Sequence, residues 1–378
     1  MEFFKKGTLF LAILLSFSGV FFTIGAAEGS LSLSAKSAIL INAETGDVYF
    51  SKNAEEKLPM ASTTKIMTAL VALESSNLTD TVEIDRRAVG IEGSSVYLTE
   101  GELLTMEDLL YSLLLASAND AAVAIAIEVG GNIEAFADMM NEKALLLGLK
   151  NTHFENPHGL DSKEHYTTAH DLAIIAAKAL ENETFAKIVS TTKYSFDGKN
   201  GTRTVVNHNK LLRLYEDCIG VKTGFTKKSG RCLVSAAERE GLRLVAVTIG
   251  APDDWQDHTK MLDLGFSSYK KVVFVHKNEY SVSLPITGGY DQTVLCRNNS
   301  EIYAFIPKDI DEARYKLEAT LPHFLYASID KGQRVGSLRL TLDGEPIAES
   351  DILAEYSVDK VIPKKSIFRR ILEFLRII

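Results

Sequence analysis

Strand-like runs lie at two distant stretches of this chain, and most of what separates them is helical in pattern. Residues 38–42 and 47–50 are apolar and β-rich, with Glu44-Thr45-Gly46 between them as a turn. Residues 219–223, 232–237 and 242–249 form a second set, the last preceded by the turn signal Glu240-Gly241. A strand needs partners for its backbone groups, so this arrangement predicts one sheet assembled from distant segments, with a helical cluster packed beside it.

The intervening helices carry their own signals. From Thr63 to Glu74, the apolar residues Ile66, Met67, Leu70, Val71 and Leu73 leave little polar face, which predicts a largely buried helix. Thr105 with Asp108 and Thr168 with Asp171 resemble capping boxes, opening helices over 105–114 and 168–180. Residues 120–129 are alanine-rich and helical in composition, and an amphipathic helix over 133–147 stops at Gly148. A further helix is expected over 260–269. From Val272 the pattern changes to short β-rich runs (279–284, 293–296, 301–306, 316–321, 337–342) with a hairpin signal at Asp343-Gly344, which predicts a small all-β domain.

Both chain ends differ from the rest. Lys5 and Lys6, an apolar run from Leu9 to Ile24 and the small residues Gly25-Ala26-Ala27 follow the order of a cleaved secretory signal over 1–27. At the other end, Lys364 and Lys365 precede a stretch in which Ile367, Phe368, Ile371, Leu372, Phe374 and Leu375 alternate with Arg369, Arg370, Glu373 and Arg376 at helical spacing. That is the composition of a basic amphipathic helix lying on a membrane surface, over 363–378. The expected organisation is therefore a signal, a catalytic domain over 28–271, a β domain over 272–362 and the terminal helix, in a protein exported to the outer face of the cytoplasmic membrane. The formal net charge of −9 argues against a nucleic-acid partner, which would need a basic stripe. Cys218, Cys232 and Cys296 are odd in number and lack C-x-x-C spacing, so buried free thiols are expected, although Cys218 and Cys232 could meet across neighbouring strands. His153, His158, His165 and His170 cluster in sequence without carboxylate support, and no metal is assigned to them.

Three short motifs carry the chemistry. In Ser62-Thr63-Thr64-Lys65, positions i and i+3 share a helix face, so a hydroxyl nucleophile sits beside an amine. Burial and nearby cations would depress the lysine pKa enough to make it a base. Ser117-Ala118-Asn119 lies between two helices, where a hydroxyl and an amide at i and i+2 can enter one cleft. Lys222-Thr223-Gly224 lies late in a strand, where an extended peptide can pair with the backbone while the lysine and threonine meet a carboxylate. Each has a bland alternative: a helix N-cap, a second cap, and a lysine before a hairpin.

Together and in this order, the three motifs resemble those of the low-molecular-mass penicillin-binding proteins, serine-type D-alanyl-D-alanine carboxypeptidases of the peptidase S11 kind. Asn156-Pro157-His158-Gly159-Leu160, residues 207–212 and residues 220–226 add to the resemblance, which spans about residues 34–269. It implies an α/β (α+β) fold of the β-lactamase/transpeptidase kind, with an antiparallel sheet flanked by helices. It also implies an acyl-enzyme on Ser62, Lys65 as base, Ser117 and Asn119 relaying protons and positioning substrate, and Lys222 and Thr223 on the substrate carboxylate. The N–H groups of Ser62 and Phe225, next to Gly224, would form the oxyanion hole. Peptidoglycan stem peptides and β-lactams would be the ligands, without a cofactor. The residues after the last sheet strand, 250–254, lack an arginine that such carboxypeptidases often carry for the terminal carboxylate. A β-lactamase, a DD-endopeptidase and an inactive wall-binding protein of the same fold are the competing readings. The first, in its class A form, needs a glutamate to activate the deacylating water, and no Glu-x-x-Leu-Asn-like segment follows Ser117 here.

Overall fold

The computed structural model describes residues 31–362; the signal expected over 1–27 and the amphipathic helix expected over 363–378 lie outside the described residues. One compact unit takes the chain up to Ala237 together with Arg243–Met261, and a second takes Glu238–Leu242 and the residues from Leu262 onward.

In the first unit the distant strands do share a sheet. Strands β1 (Ser37–Asn42), β2 (Val48–Lys52), β3 (Cys218–Thr226), β4 (Gly230–Arg239) and β5 (Leu242–Ile249) stand in the order β2-β1-β5-β4-β3. The ladders β1–β2, β1–β5 and β3–β4 are antiparallel. Strand β1 is buried along its whole length because the sheet is covered on both faces there.

Helix α1 (Lys65–Ser75) runs through the helical cluster, with Ile66, Met67, Leu70 and Val71 in the core. Helix α2 (Met106–Leu115) opens with a complete capping box: the Thr105 hydroxyl accepts from Asp108 N–H, and the Asp108 carboxylate accepts from Thr105 N–H. Helix α3 (Asn119–Gly130) ends at Gly131, whose φ of 78° is the left-handed conformation that glycine adopts without strain. Helices α4 (Ile133–Leu146), α5 (Ala169–Leu180) and α6 (Glu183–Ser190) complete the cluster. Helix α6 and the hairpin formed by Lys193–Gly198 and Gly201–Val206 were not foreseen from the sequence. Another helix, Asp254–Ser268, begins six residues before the expected 260 and yields to a strand at Tyr269. Its first turn is polar (Asp254, Asp257), which conceals its start from apolar periodicity.

The second unit is β-rich, as expected. Tyr269–Val275 pairs with Ile302–Pro307, and six further strands form a sheet in which Arg334–Leu342 and Glu345–Ala354 make the longest hairpin. Its separate core contains Val294, Cys296, Leu338, Leu340 and Ile352. All three cysteines are free thiols. Cys218 lies opposite Ala237 and Cys232 opposite Gly224, so register keeps the two from meeting across the ladder.

Candidate active site

Ser62 sits in a short 3₁₀ turn, Ala61–Thr64, that leads directly into α1. In a 3₁₀ turn residues i and i+3 eclipse one another. Ser62 Oγ is accordingly 3.0 Å from Lys65 Nζ. Thr63 and Thr64 turn their hydroxyls back to the carbonyls of Met60 and Ala61, closing the turn.

Lys65 is wholly buried. Its Nζ lies 2.7 Å from Asn119 Oδ1 and 2.6 Å from the His158 carbonyl oxygen. Both of those atoms only accept. A neutral amine has two N–H bonds and one lone pair; with the N–H bonds directed at Asn119 and His158, the lone pair is left for the Ser62 hydroxyl. Burial first, and then the positive charge of Lys222, hold the Lys65 pKa well below the ordinary lysine value, against an opposing pull from Asp120. The arrangement is that of a base poised on its nucleophile.

Asn119 is the first residue of α3, and its Nδ2 donates to the Glu92 carbonyl at 2.6 Å. That bond orients the amide so that its oxygen meets Lys65. Asn119 is therefore not the cap of α3; Ala118 holds that position, without a side-chain bond. Ser117 has a φ of 60°, a left-handed conformation that costs a non-glycine residue energy. It is almost buried and lines the cleft.

Strand β3 forms the opposite wall. A Cβ at Gly224 would lie 3.0 Å from Ser62 N and 3.2 Å from Thr63 N, so only glycine lets the strand approach the nucleophile this closely. Lys222 is buried and donates to the Thr223 carbonyl, and burial lowers its pKa to about 7. Thr223, Gly224 and Phe225 line a cleft of about 570 Å³ that also contains Ser62 and Ser117. All eight residues singled out from the sequence thus line this cleft or are buried in hydrogen-bonding or electrostatic contact with the residues that do.

Several contributors had no role assigned from the sequence, although the segments 156–160 and 207–212 had counted toward the resemblance. Asp120 is buried and accepts from Ser95 Oγ and from the backbone N–H of Val96 and Leu98, fastening the loop over 94–98 to the start of α3. The loop over 156–160 supplies the His158 carbonyl, a backbone atom that no motif announces. The cleft is further lined by Asn207, His208, Lys210 and Arg213, and by Arg231 of β4 with Asp254 and Trp255. Of the other histidines of the sequence cluster, His165 Nε2 meets Thr64 Oγ1 at 2.8 Å, and His170 lies near Glu55 and Asp171.

Comparison with known proteins agrees with this geometry. A family model described as D-alanyl-D-alanine carboxypeptidase matches residues 24–253, and one described as the C-terminal domain of penicillin-binding protein 5 matches 269–360. The chain is 35% identical to the D-alanyl-D-alanine carboxypeptidase DacF of Bacillus subtilis over 345 residues, 89% of each chain. It is 31% identical to DacA of Escherichia coli K12, over 92% of this chain and 89% of the relative. Among solved structures, penicillin-binding protein 5 of Haemophilus influenzae superimposes with a TM-score of 0.69 at 28% identity, covering 87% of this chain and 98% of that one.

Proposed function

The chain belongs to the D-alanyl-D-alanine carboxypeptidase family, and from that premise we propose that it removes the terminal D-alanine of peptidoglycan stem peptides through an acyl-enzyme on Ser62. The carrying observation is the buried Lys65 amine, 3.0 Å from Ser62 Oγ with both its N–H directions taken by other acceptors.

The Ser62 hydroxyl gives its proton to neutral Lys65 as Oγ attacks the carbonyl carbon of the penultimate D-alanine. The oxyanion so formed is held by the N–H groups of Ser62 and Phe225, in a geometry that glycine at 224 permits. The C–N bond then breaks. The proton taken up by Lys65 passes by way of Ser117 to the leaving amine, and D-alanine departs. Water, deprotonated by Lys65, next attacks the ester, releasing the shortened peptide and restoring the Ser62 hydroxyl. Lys222 and Thr223 hold the terminal carboxylate, and Asn119 orients both Lys65 and the peptide. A β-lactam acylates Ser62 by the same attack, but its leaving nitrogen stays tethered through the opened ring and obstructs the water.

The test is release of D-alanine from a pentapeptide ending in D-alanyl-D-alanine, with Ser62→Ala as control. Release by the native chain and none by the variant is the expected result; undiminished release by Ser62→Ala would overturn the assignment.

The proposal extends to place. The signal pattern over 1–27 supports export, and the basic, apolar alternation over 363–378 supports attachment to the outer face of the cytoplasmic membrane. No helix among the described residues is long and apolar enough to cross a membrane.

A further inference from the structure

A peptide that ends in a free carboxylate leaves a negative charge beside Thr223, yet residues 250–254, which follow β5, contain no cation. The sheet supplies one from its next strand. Arg231 lies directly opposite Phe225, and Thr223 directly opposite Leu233. Directly paired residues project to the same face, and so do residues two apart on one strand. Thr223, Phe225 and Arg231 therefore share a face, with Thr223 and Arg231 as diagonal neighbours roughly 7–8 Å apart at the backbone, within reach of a long side chain. Both line the cleft that contains Ser62.

The guanidinium is held in place. Its Nη2 donates to Asp254 Oδ1 at 2.8 Å, and the Asp254 carboxylate is almost fully buried and also accepts from Trp255 N–H. The guanidinium carbon lies 5.6 Å from the Trp255 ring centroid, so the indole forms a second wall. Asp254 engages one corner of a fork with five donors. The side chain is still 42% exposed, and its Nε is buried with no hydrogen-bond partner among the described residues. An orphaned buried donor is costly, and a small rotation of the fork toward an anion in the cleft would satisfy it.

We infer that Arg231 is the specificity-determining cation for the substrate's terminal carboxylate, sharing that carboxylate with Thr223 and adding to the charge of Lys222. Asp254 and Trp255 are positioning residues that aim it. The inference rests on the carboxypeptidase reading and adds the group that makes the enzyme prefer a free C-terminus.

The test compares a peptide ending in D-alanyl-D-alanine with the same peptide closed as its C-terminal carboxamide, on the native chain, Arg231→Gln and Arg231→Lys. The carboxamide keeps the scissile bond and lacks the charge. Arg231→Gln is expected to lower kcat/KM on the free acid roughly 10- to 100-fold, the range for losing a hydrogen bond to a charged group, chiefly through KM. Its rate on the carboxamide should hold within about twofold, since no such bond is lost there. Arg231→Lys keeps the charge without the planar fork and should fall between; it carries the test if the glutamine variant does not fold. Equal losses on both peptides would mark Arg231 as merely structural, and an unchanged preference for the acid would show that another group binds the carboxylate; either overturns the inference while the carboxypeptidase reading stands. Native chain that releases neither D-alanine from the free acid nor D-alaninamide from the carboxamide would overturn that reading and this inference with it.

Discussion

Lys65 and Lys222 are two amines buried in one site, and the proposed chemistry requires them in opposite states. Lys65 must be neutral to accept the Ser62 proton, whereas Lys222 must be charged to attract the carboxylate. Burial depresses both, and the charge on Lys222 depresses Lys65 further. As pH rises, Lys65 loses its proton and kcat/KM increases; as pH passes about 7, Lys222 loses its own and kcat/KM declines. A bound carboxylate favours the charged form of Lys222. The falling limb is therefore expected to move to higher pH in kcat, which reports the enzyme–substrate complex, relative to kcat/KM. A pH–rate series with the D-alanyl-D-alanine peptide checks this, and identical falling limbs would contradict the role given to Lys222. The left-handed φ angles of Ala61 (49°) and Ser117 (60°) place backbone strain next to Ser62 and at Ser117, the proposed nucleophile and relay.

At the level of elements, the site is a junction between the start of α1, the start of α3, strand β3 and one loop. The loop over 156–160 is braced at several points. Asn156 Oδ1 accepts from Gly159 N–H, Asn156 Nδ2 donates to the Leu160 carbonyl, and the Pro157 carbonyl accepts from Thr68 of α1. This bracing presents the His158 carbonyl to Lys65. Gly159 makes the approach possible: its φ is 88°, and a Cβ there would lie 1.9 Å from the Ala61 carbonyl oxygen. Gly159→Ala is expected to push the loop away from the 3₁₀ turn that carries Ser62 and destabilise the fold by about 1–3 kcal/mol. It should slow acylation of Ser62 by labelled penicillin about 10- to 100-fold, since displacement of a catalytic group by about 1 Å has effects of that size. Thermal unfolding and acylation kinetics measure the two parts, and a variant that keeps native acylation kinetics would show that the His158 carbonyl is dispensable.

Across the whole molecule, each unit has its own hydrophobic core, and the reactive groups above all lie in the first. If residues 363–378 hold the protein on a membrane, ending the chain at Ile362 should abolish co-sedimentation with anionic lipid vesicles and leave the penicillin acylation rate unchanged; persistent co-sedimentation would move the membrane contact elsewhere. How much of this was legible beforehand depends on what each interaction is made of. The nucleophile, its lysine, Ser117, Asn119 and the Lys222 strand could be read directly because each motif is a few residues long and its side-chain types announce their chemistry. The sheet could be read because β-rich runs must find partners, and helix α2 because Thr105 and Asp108 mark their own cap. The carbonyls of His158 and Glu92 could not, since a backbone oxygen has no residue type. Nor could Asp120, whose partners lie on a loop more than twenty residues back, nor Arg231, whose counter-ion Asp254 stands twenty-three residues on. By itself, the sequence determined what kind of fold the chain takes and named the groups to which the proposed chemistry is assigned. Only the tertiary structure decided which atoms take up the two N–H bonds of Lys65 and which cation stands beside Thr223, because hydrogen bonding and charge pairing act through distances that chain order does not record.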